Sequence, residues 1–187
     1  MSGPSLEDLL PGFNSETTIE AAVVADPMLL RGLAWGEPRR AHPEGTVARH
    51  VTDLLATIEA WGEQGAQRAD LRLVTLVHDS FKFAVTPWRP RTGENHHAVR
   101  ARRFAERHTG DERVLATIEL HDRPYALWRR MRLTGRVPRS AVDRMLERVP
   151  DTGLFTRFVQ LDASTEGKRH APVEWLLDEV AKAAPSR

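Results

Sequence analysis

The chain has 187 residues, a formal net charge of +1 and no cysteine. This length suits one domain with a sizeable core, and 41% apolar with 28% charged residues is ordinary for a soluble globular protein. The small net charge gives no support for a general nucleic-acid or membrane surface. The lack of cysteine excludes disulfides, thiolate nucleophiles and cysteine-based zinc or iron–sulfur sites. Any metal would therefore be bound by His, Asp and Glu.

The ends of the chain carry few signals. The N-terminus lacks the basic-then-apolar pattern of a signal peptide, and no stretch approaches the roughly 18 apolar residues of a membrane span. We therefore expect a cytoplasmic protein. Residues 1–15 are rich in Gly, Pro and Ser and predict a flexible lead-in with one short turn at Leu6–Leu10, followed by one helical domain over residues 16–187.

Apolar residues recur at helical spacing along most of this domain. The spacing predicts a helix from Thr17 to Leu33 that is broken at Pro27, a helix capped by Thr46, and a core helix from Ala69 to Lys82. It predicts further helices from about Glu94 to His108, after Asp111, and over residues 125–133, 138–149, 153–163 and 172–183. No alternating pattern of useful length indicates a strand, so the fold class is all-α.

The pair His78–Asp79 lies near the end of the predicted core helix, and Lys82 follows three residues after the aspartate. An imidazole nitrogen beside a carboxylate oxygen suits a divalent metal ion. A buried helix whose polar end caps itself is the alternative for such a pair alone. The positions of the other polar residues decide between the two interpretations.

Several more polar side chains fall on apolar helix faces, namely His50, His96 or His97, His121 and Asp162. Burying one such group without a partner costs roughly a few kcal/mol. A shared metal ion would give all of them a partner, and helical bundles are known to hold metals with imidazole and carboxylate ligands.

This order of residues resembles the HD-domain metal-dependent phosphohydrolases. His50, His78–Asp79 and Asp162 match the minimal pattern of that family, and His96 and His121 match two extra histidines of many members. The stretch His42–Val51 is similar to the beginning of this domain in tRNA nucleotidyltransferases. The stretch His78–Lys82 is similar to the family's His-Asp-(Ile/Leu)-Gly-Lys, with Phe81 in place of Gly. The resemblance covers about residues 42–168.

One departure concerns the third histidine of the pattern. The family's helix often begins His-Glu-X-X-Gly-Ala, whereas this chain has His96-His97-Ala98-Val99-Arg100-Ala101, with Arg100 in place of Gly. The alignment favours His96 as the ligand and leaves His97 as the fallback.

The resemblance implies an HD-type helical bundle with a buried centre of one or two divalent ions (Fe, Mn, Co, Ni or Zn). One ion would bind His50, His78, Asp79 and Asp162, and the other would share Asp79 and add His96 and His121. Asp79 and Lys82 would be the catalytic residues. The expected contacts to a phosphorylated substrate are Lys82, Arg89, Arg91 and Lys168.

The resemblance further implies hydrolysis of a small nucleotide-like phosphomonoester or phosphodiester by a metal-bound hydroxide. Two alternatives remain open at this point. HD-type diiron oxygenases have the same ligand pattern, and a non-catalytic HD domain could bind a metal without turnover. The identity of the metal, the number of ions and the formation of a homo-oligomer also remain open.

Overall fold

The structure, a computed structural model, describes residues 3–38 and 45–183, and its regular elements in these ranges are all helical. This confirms the all-α prediction. The α-helices are α1 (Leu6–Leu9), α2 (Thr18–Val24), α3 (Pro27–Leu33), α4 (Val47–Ala60), α5 (Gly65–Val77), α6 (His97–Ala105), α7 (Glu112–Leu120), α8 (Arg123–Thr134), α9 (Arg139–Leu146), α10 (Thr152–Asp162) and α11 (Ala171–Ala183). Two short 3₁₀ turns lie at Lys82–Ala84 and Gly93–Asn95.

Side-chain caps explain where several helices begin. Thr46 accepts a hydrogen bond from the Arg49 N–H at 3.3 Å, and Asp111 accepts one from the Arg113 N–H at 2.9 Å. Each cap satisfies a backbone donor that has no partner within its helix. Asp26 caps α3 in the same way with Pro27 in the first turn, so the predicted break at Pro27 is confirmed.

The predicted turn at Leu6–Leu10 corresponds to α1, and Leu10 is only 2% exposed. The side chains of Leu6, Leu9 and Phe13 also pack against the hydrophobic core. The division of the chain at residue 15 stays a prediction. The part of the family-like stretch that comprises His42, Pro43 and Glu44 lies outside the described residues.

The predicted helix over residues 69–82 was wrong at both ends. It begins at Gly65 and ends at Val77, so the His78–Asp79 pair lies in the turn that follows α5. The Ser80 hydroxyl donates to the Leu76 carbonyl at 2.7 Å, and the Ser80 N–H donates to the Val77 carbonyl at 3.1 Å. A serine that bonds to nearby backbone competes with the next helical turn. Lys82 therefore does not share a helix with Asp79.

Helix α10 lies between two hydrophobic cores. Leu154, Phe158 and Leu161 belong to a core built mainly by α1–α7, whereas Phe155 and Val159 belong to a core shared with α8, α9 and α11. The two sets are each spaced by three or four residues, so they occupy two faces of one helix. Asp162, the last residue of α10, consequently lies where the two cores meet.

Candidate metal centre

Six side chains from five segments of the chain converge at this junction. We refer to them as the His/Asp cluster: His50 in α4, His78 and Asp79 after α5, His97 at the start of α6, His121 after α7, and Asp162 at the end of α10. His78 is 0% exposed and Asp79 is 4% exposed. The fold thus brings together ligand types that are up to 112 residues apart in sequence.

One half of the cluster forms around Asp162. His50 Nε2 lies 2.9 Å from Asp162 Oδ1, and His78 Nε2 lies 3.8 Å from the same oxygen. His78 Nε2 is also 3.5 Å from Asp79 Oδ2. Ligand atoms of His50, His78 and Asp79 all lie within 4.8 Å of one another, so this half could hold a metal ion.

The other half forms around the second oxygen of Asp79. Asp79 Oδ1 lies 3.3 Å from His97 Nε2 and 3.6 Å from His121 Nε2. These three residues form a second group whose ligand atoms lie within 4.8 Å of one another. Asp79 therefore presents one oxygen to each half of the cluster.

Backbone carbonyls fix the orientation of two of the imidazoles. His78 Nδ1 lies 3.0 Å from the Thr75 carbonyl oxygen, and His121 Nδ1 lies 2.8 Å from the Ile118 carbonyl oxygen. A carbonyl only accepts, so each Nδ1–H donates, and in a neutral ring Nε2 then carries a lone pair. Both Nε2 atoms point toward Asp79, which is the orientation that a metal ligand needs.

Some atoms of the cluster lack the partners that buried polar groups normally have. Among the buried side-chain atoms of the described ranges, His78 Nε2, Asp79 Oδ1 and His97 Nε2 make no hydrogen bond. Leaving such a group unsatisfied costs about 1–3 kcal/mol. Cations bound in the two halves of the cluster would satisfy these atoms, and imidazole with carboxylate donors suits several divalent metals. The residues therefore fit a metal ion, whose identity this donor set does not determine.

The charges of the cluster favour ionised carboxylates. Burial alone raises the pKa of Asp79, but the Lys82 ammonium and the neighbouring histidines outweigh burial and hold that pKa well below its usual range. For Asp162, burial is likewise outweighed by Lys168 and His50, and its pKa is well below the usual range. Two carboxylates that stay charged are suitable ligands for a cation.

The histidines of the cluster differ in protonation. Burial lowers the pKa of His78, so its imidazole is neutral and able to coordinate. Burial also acts to lower the pKa of His121, but contact with Asp79 and the charge of Asp122 raise it to about 9. Without a metal, a proton on His121 partly neutralises the carboxylates beside it, and a bound cation would take over that role.

The structure gives the two candidates for the third histidine different contacts. His96 is the N-cap of α6, where its Nδ1 accepts a hydrogen bond from the Ala98 N–H at 3.3 Å, and its Nε2 faces Asp122 Oδ2 at 3.4 Å. His97, the fallback, is the residue next to Asp79 and His121. An imidazole that caps a helix through Nδ1 carries its proton on Nε2 when neutral, which leaves no lone pair there for a metal.

Two lysines contact the carboxylates of the cluster. Lys82 Nζ forms an ion pair with Asp79 Oδ2, and Lys168 Nζ lies 3.4 Å from Asp162 Oδ1. Lys82 meets Asp79 because the turn after α5 brings the two side chains together.

A cavity of about 410 Å³ opens onto the cluster. Asp79, His97, His121 and Asp162 line it together with Lys82 and Lys168. Arg91 also lines it, whereas Arg89 is exposed and lies outside its lining. Among the polar residues of the lining, the sequence did not assign Asp122, Tyr125 and Arg169 to a substrate site. No local sequence pattern indicates a role for Tyr125. Arg169 could have been identified, because it directly follows Lys168, which was an expected substrate contact.

The loop that carries Arg91 is held by one asparagine. The Asn95 side chain accepts from the Thr86 N–H at 2.8 Å and donates to the carbonyls of Thr86, Arg89 and Pro90 at 3.0–3.2 Å. These hydrogen bonds satisfy backbone groups that lie in a loop, outside any regular helix. Asn95 therefore helps to fix the loop from which Arg91 reaches the cavity.

A glycine in α3 supports the turn that presents His78 and Asp79. A Cβ atom on Gly32 would lie 2.7 Å from the Ser80 carbonyl carbon, which is too close for any side chain. The absence of a side chain lets α3 pack directly against the backbone of the turn. This contact joins residues 48 positions apart and has no signature in the local sequence.

Comparison with known protein families, curated proteins and solved structures gave no match to this chain. The all-helical fold and the His/Asp cluster are compatible with an HD-type site. Among the helices of the described ranges, none has the length and apolar character needed to cross a membrane.

Proposed function

We propose that the protein is a metal-dependent phosphohydrolase of the HD type that acts on a small, nucleotide-like phosphomonoester or phosphodiester. The observation that carries this proposal is the position of the His/Asp cluster at a cavity that lysine and arginine side chains also line. Ligands for a cation and counter-charges for an anion line the same cavity. Phosphate esters need both, because catalysis of phosphoryl transfer is mainly positioning and electrostatic stabilisation.

The cluster offers ligands for two ions. His50, His78, Asp79 and Asp162 would hold one, and Asp79, His97 and His121 would hold the other, so that Asp79 bridges them. When bound, divalent ions supply Lewis acidity and lower the pKa of water toward neutrality. The replacement of His96 by His97 is the one change from the ligand set that the sequence predicted.

The remaining residues of the cavity act on the substrate. Lys82 and Lys168 are partly buried, with side chains 21% and 20% exposed, and each lies against a carboxylate of the cluster. A cation that binds Asp79 and Asp162 competes with these lysines for the carboxylates. The ammonium groups are then available to phosphoryl oxygens, and Arg91 can bind a further oxygen from the loop above.

Part of the His/Asp cluster is shielded from water. His78 is fully buried, and the ring of Phe158 packs edge-on against it with centroids 5.1 Å apart. Charges in such an environment interact more strongly than they would in water. The geometry thus supports fixed cations that stabilise negative charge developing on a phosphoryl group.

The test is metal analysis combined with hydrolysis assays. The purified protein is analysed for bound metal, loaded separately with Mn²⁺, Co²⁺, Ni²⁺, Zn²⁺ and anaerobic Fe²⁺, and assayed with p-nitrophenyl phosphate and bis(p-nitrophenyl) phosphate. We expect up to two ions per chain and chelator-sensitive hydrolysis of at least one ester. Asp53→Asn, at an exposed position of α4, is the matched control for Asp79→Asn, which should abolish both metal binding and hydrolysis.

Three other outcomes would contradict the proposal in different ways. Bound iron with a mixed-valent EPR signal and oxygen consumption, but no ester hydrolysis, would indicate the diiron oxygenase. Bound metal with neither activity would indicate a non-catalytic metal-binding domain. No bound metal and no thermal stabilisation by any of the ions would rule out the metal centre itself.

A further inference from the structure

The cavity has two chemically different parts. One part is formed by the His/Asp cluster and the lysines described above. The other part is an apolar wall that we define as Pro124, Tyr125, Val159, Ala163, Pro172 and Val173. These residues come from the start of α8, the end of α10 and the start of α11. A phosphate group alone would contact the first part and leave this wall uncovered.

Tyr125 distinguishes the wall from an ordinary extension of the core. Its neighbours Pro124 and Pro172 are buried, and Val173 is 8% exposed, but Tyr125 is 48% exposed. The Trp128 ring lies behind it, with centroids 6.0 Å apart and planes inclined by 31°. A large aromatic side chain with a second ring beside it is thereby accessible at the cavity. Tyrosine in such a position commonly binds ligands through its flat face.

The size of the cavity limits what this wall can receive. A volume of about 410 Å³ lies near the lower end of the range of small-molecule sites, which is roughly 300–1,000 Å³. It suits one phosphate group and one ring system rather than an oligonucleotide or a peptide. The anionic group and the apolar group of the ligand must therefore belong to the same small molecule.

We propose that the apolar wall binds a planar aromatic group of the substrate, with Tyr125 as the residue that determines this specificity. The inference rests on the proposed function and makes its substrate class more specific: a phosphate ester of an alcohol that carries an aromatic ring, in contrast to esters of small polyols. The phosphate lies at the His/Asp cluster, and the ring packs against Tyr125 and Pro172.

Two non-hydrolysable phosphonates test the wall without any dependence on turnover. Phenylphosphonate and methylphosphonate carry the same anionic group and differ in the ring. Their dissociation constants are measured by calorimetry on the metal-loaded protein. We expect phenylphosphonate to bind about 5- to 150-fold more tightly, the range that corresponds to stacking of one ring on an aromatic side chain.

Variants assign this preference to the tyrosine. Tyr125→Ala should remove most of the preference for phenylphosphonate while the affinity for methylphosphonate stays within about twofold. Tyr125→Phe should retain the preference because it keeps the ring. Leu133→Ala is the matched control, since Leu133 is an exposed apolar residue of the same helix, 74% exposed and outside the cavity lining.

The outcomes separate this inference from the proposed function. Equal affinities for the two phosphonates in the wild-type protein, or a preference that survives in Tyr125→Ala, would overturn the role of the wall and leave the phosphohydrolase intact. Binding of neither phosphonate to the metal-loaded protein would overturn the anion site of the proposed function, and the inference would fail with it.

Discussion

Within the described ranges, two clusters of largely buried charge differ in how completely their donors and acceptors are satisfied. In the Arg72 cluster, which comprises Glu16, Glu20 and Arg72, the Arg72 guanidinium donates from Nε and Nη2 to Glu20 at 2.9 and 3.0 Å. Its Nη2 also donates to the Asn14 carbonyl at 3.0 Å, and its Nη1 lies 3.1 Å from Glu16. Glu20, which is 0% exposed, accepts in addition from the Glu16 N–H at 2.8 Å.

The His/Asp cluster is buried to a similar degree but is not satisfied in this way. His78 Nε2, Asp79 Oδ1 and His97 Nε2 have no hydrogen bond in the described ranges, and the cluster faces a cavity. The Arg72 cluster instead joins α2 and the segment before it to α5, with the Phe13 ring 5.2 Å from the guanidinium.

This difference distinguishes buried charged groups that stabilise the fold from buried charged groups that bind a ligand. A buried ion pair with all its donors and acceptors satisfied holds segments of the chain together. A buried cluster with unsatisfied atoms and an opening to solvent is arranged for a ligand that completes it. Variants of the two clusters should therefore affect different observables.

The largest effect is expected at Asp79, which the two halves of the proposed metal centre share. Asp79→Asn removes a charge from both halves of the His/Asp cluster, so the proposed metal ions should be lost and the proposed hydrolytic activity should fall about 10³-fold or more. The metal content is measured by mass spectrometry, and activity with p-nitrophenyl phosphate. His121→Ala should lose mainly one ion. Full metal content and activity in His121→Ala would replace the two-ion centre by a mononuclear one.

Breaking the Arg72 cluster should affect stability and leave metal binding intact. Arg72→Met leaves the Glu20 carboxylate buried without its cationic partner, which should lower the free energy of unfolding by about 3–5 kcal/mol in urea titrations. The double variant Arg72→Met/Glu20→Leu should recover most of this loss. Arg103→Met, which breaks an exposed pair with Glu94, should cost at most about 1 kcal/mol. Metal loss in folded Arg72→Met would contradict the separation of the two clusters.

Lys82 touches the His/Asp cluster without being a metal ligand. If it stabilises charge on the substrate, Lys82→Met should lower kcat about 10²–10³-fold with the metal content unchanged. Lys182→Met, on an exposed residue of α11, is the control and should keep the wild-type kcat. A lower melting temperature with kcat intact would make the ion pair between Lys82 and Asp79 structural.

The smallest effect concerns the stability that the Glu16 carboxylate of the Arg72 cluster loses at acid pH. Hydrogen bonds from Arg68, one of them 2.7 Å long, are the main reason that the pKa of Glu16 is lowered from its usual 4.5. A carboxyl group with a lowered pKa in the folded state contributes stability above about pH 4.5, and this stability is lost as the pH falls through the folded-state value. The contribution is small because the Glu16 side chain is 37% exposed.

Thermal unfolding of the metal-free protein at pH 6 and pH 3.5 measures this effect. We expect Glu16→Gln to have a lower melting temperature than the wild type at pH 6 and a smaller decrease on acidification. Glu174→Gln, at an exposed position of α11, is the control and should follow the wild type. An unchanged decrease in Glu16→Gln would show that other carboxyl groups account for the acid sensitivity.

Most helices, and the residue types of the candidate metal ligands, could be predicted from the sequence alone. Helical spacing and caps such as Thr46 and Asp111 act within a few residues, so they can be read locally. The residue types at His50, His78–Asp79, His121 and Asp162 could also be read, because polar groups on apolar faces need a partner wherever the helices pack. The end of α5 was predicted wrongly, since Ser80 and the packing of Gly32 terminate the helix before its apolar pattern indicates an end.

The contacts between particular atoms of different segments could be seen only in the tertiary structure. The adjacent residues His96 and His97 are equivalent by type, but one caps α6 while the other lies 3.3 Å from Asp79, 18 positions earlier in the chain. The satisfied partners of Arg72 and the apolar wall around Tyr125 likewise combine segments that are far apart in sequence. Periodicity specifies which face of a helix is buried, whereas the distances between side chains on different helices depend on how those helices pack against each other.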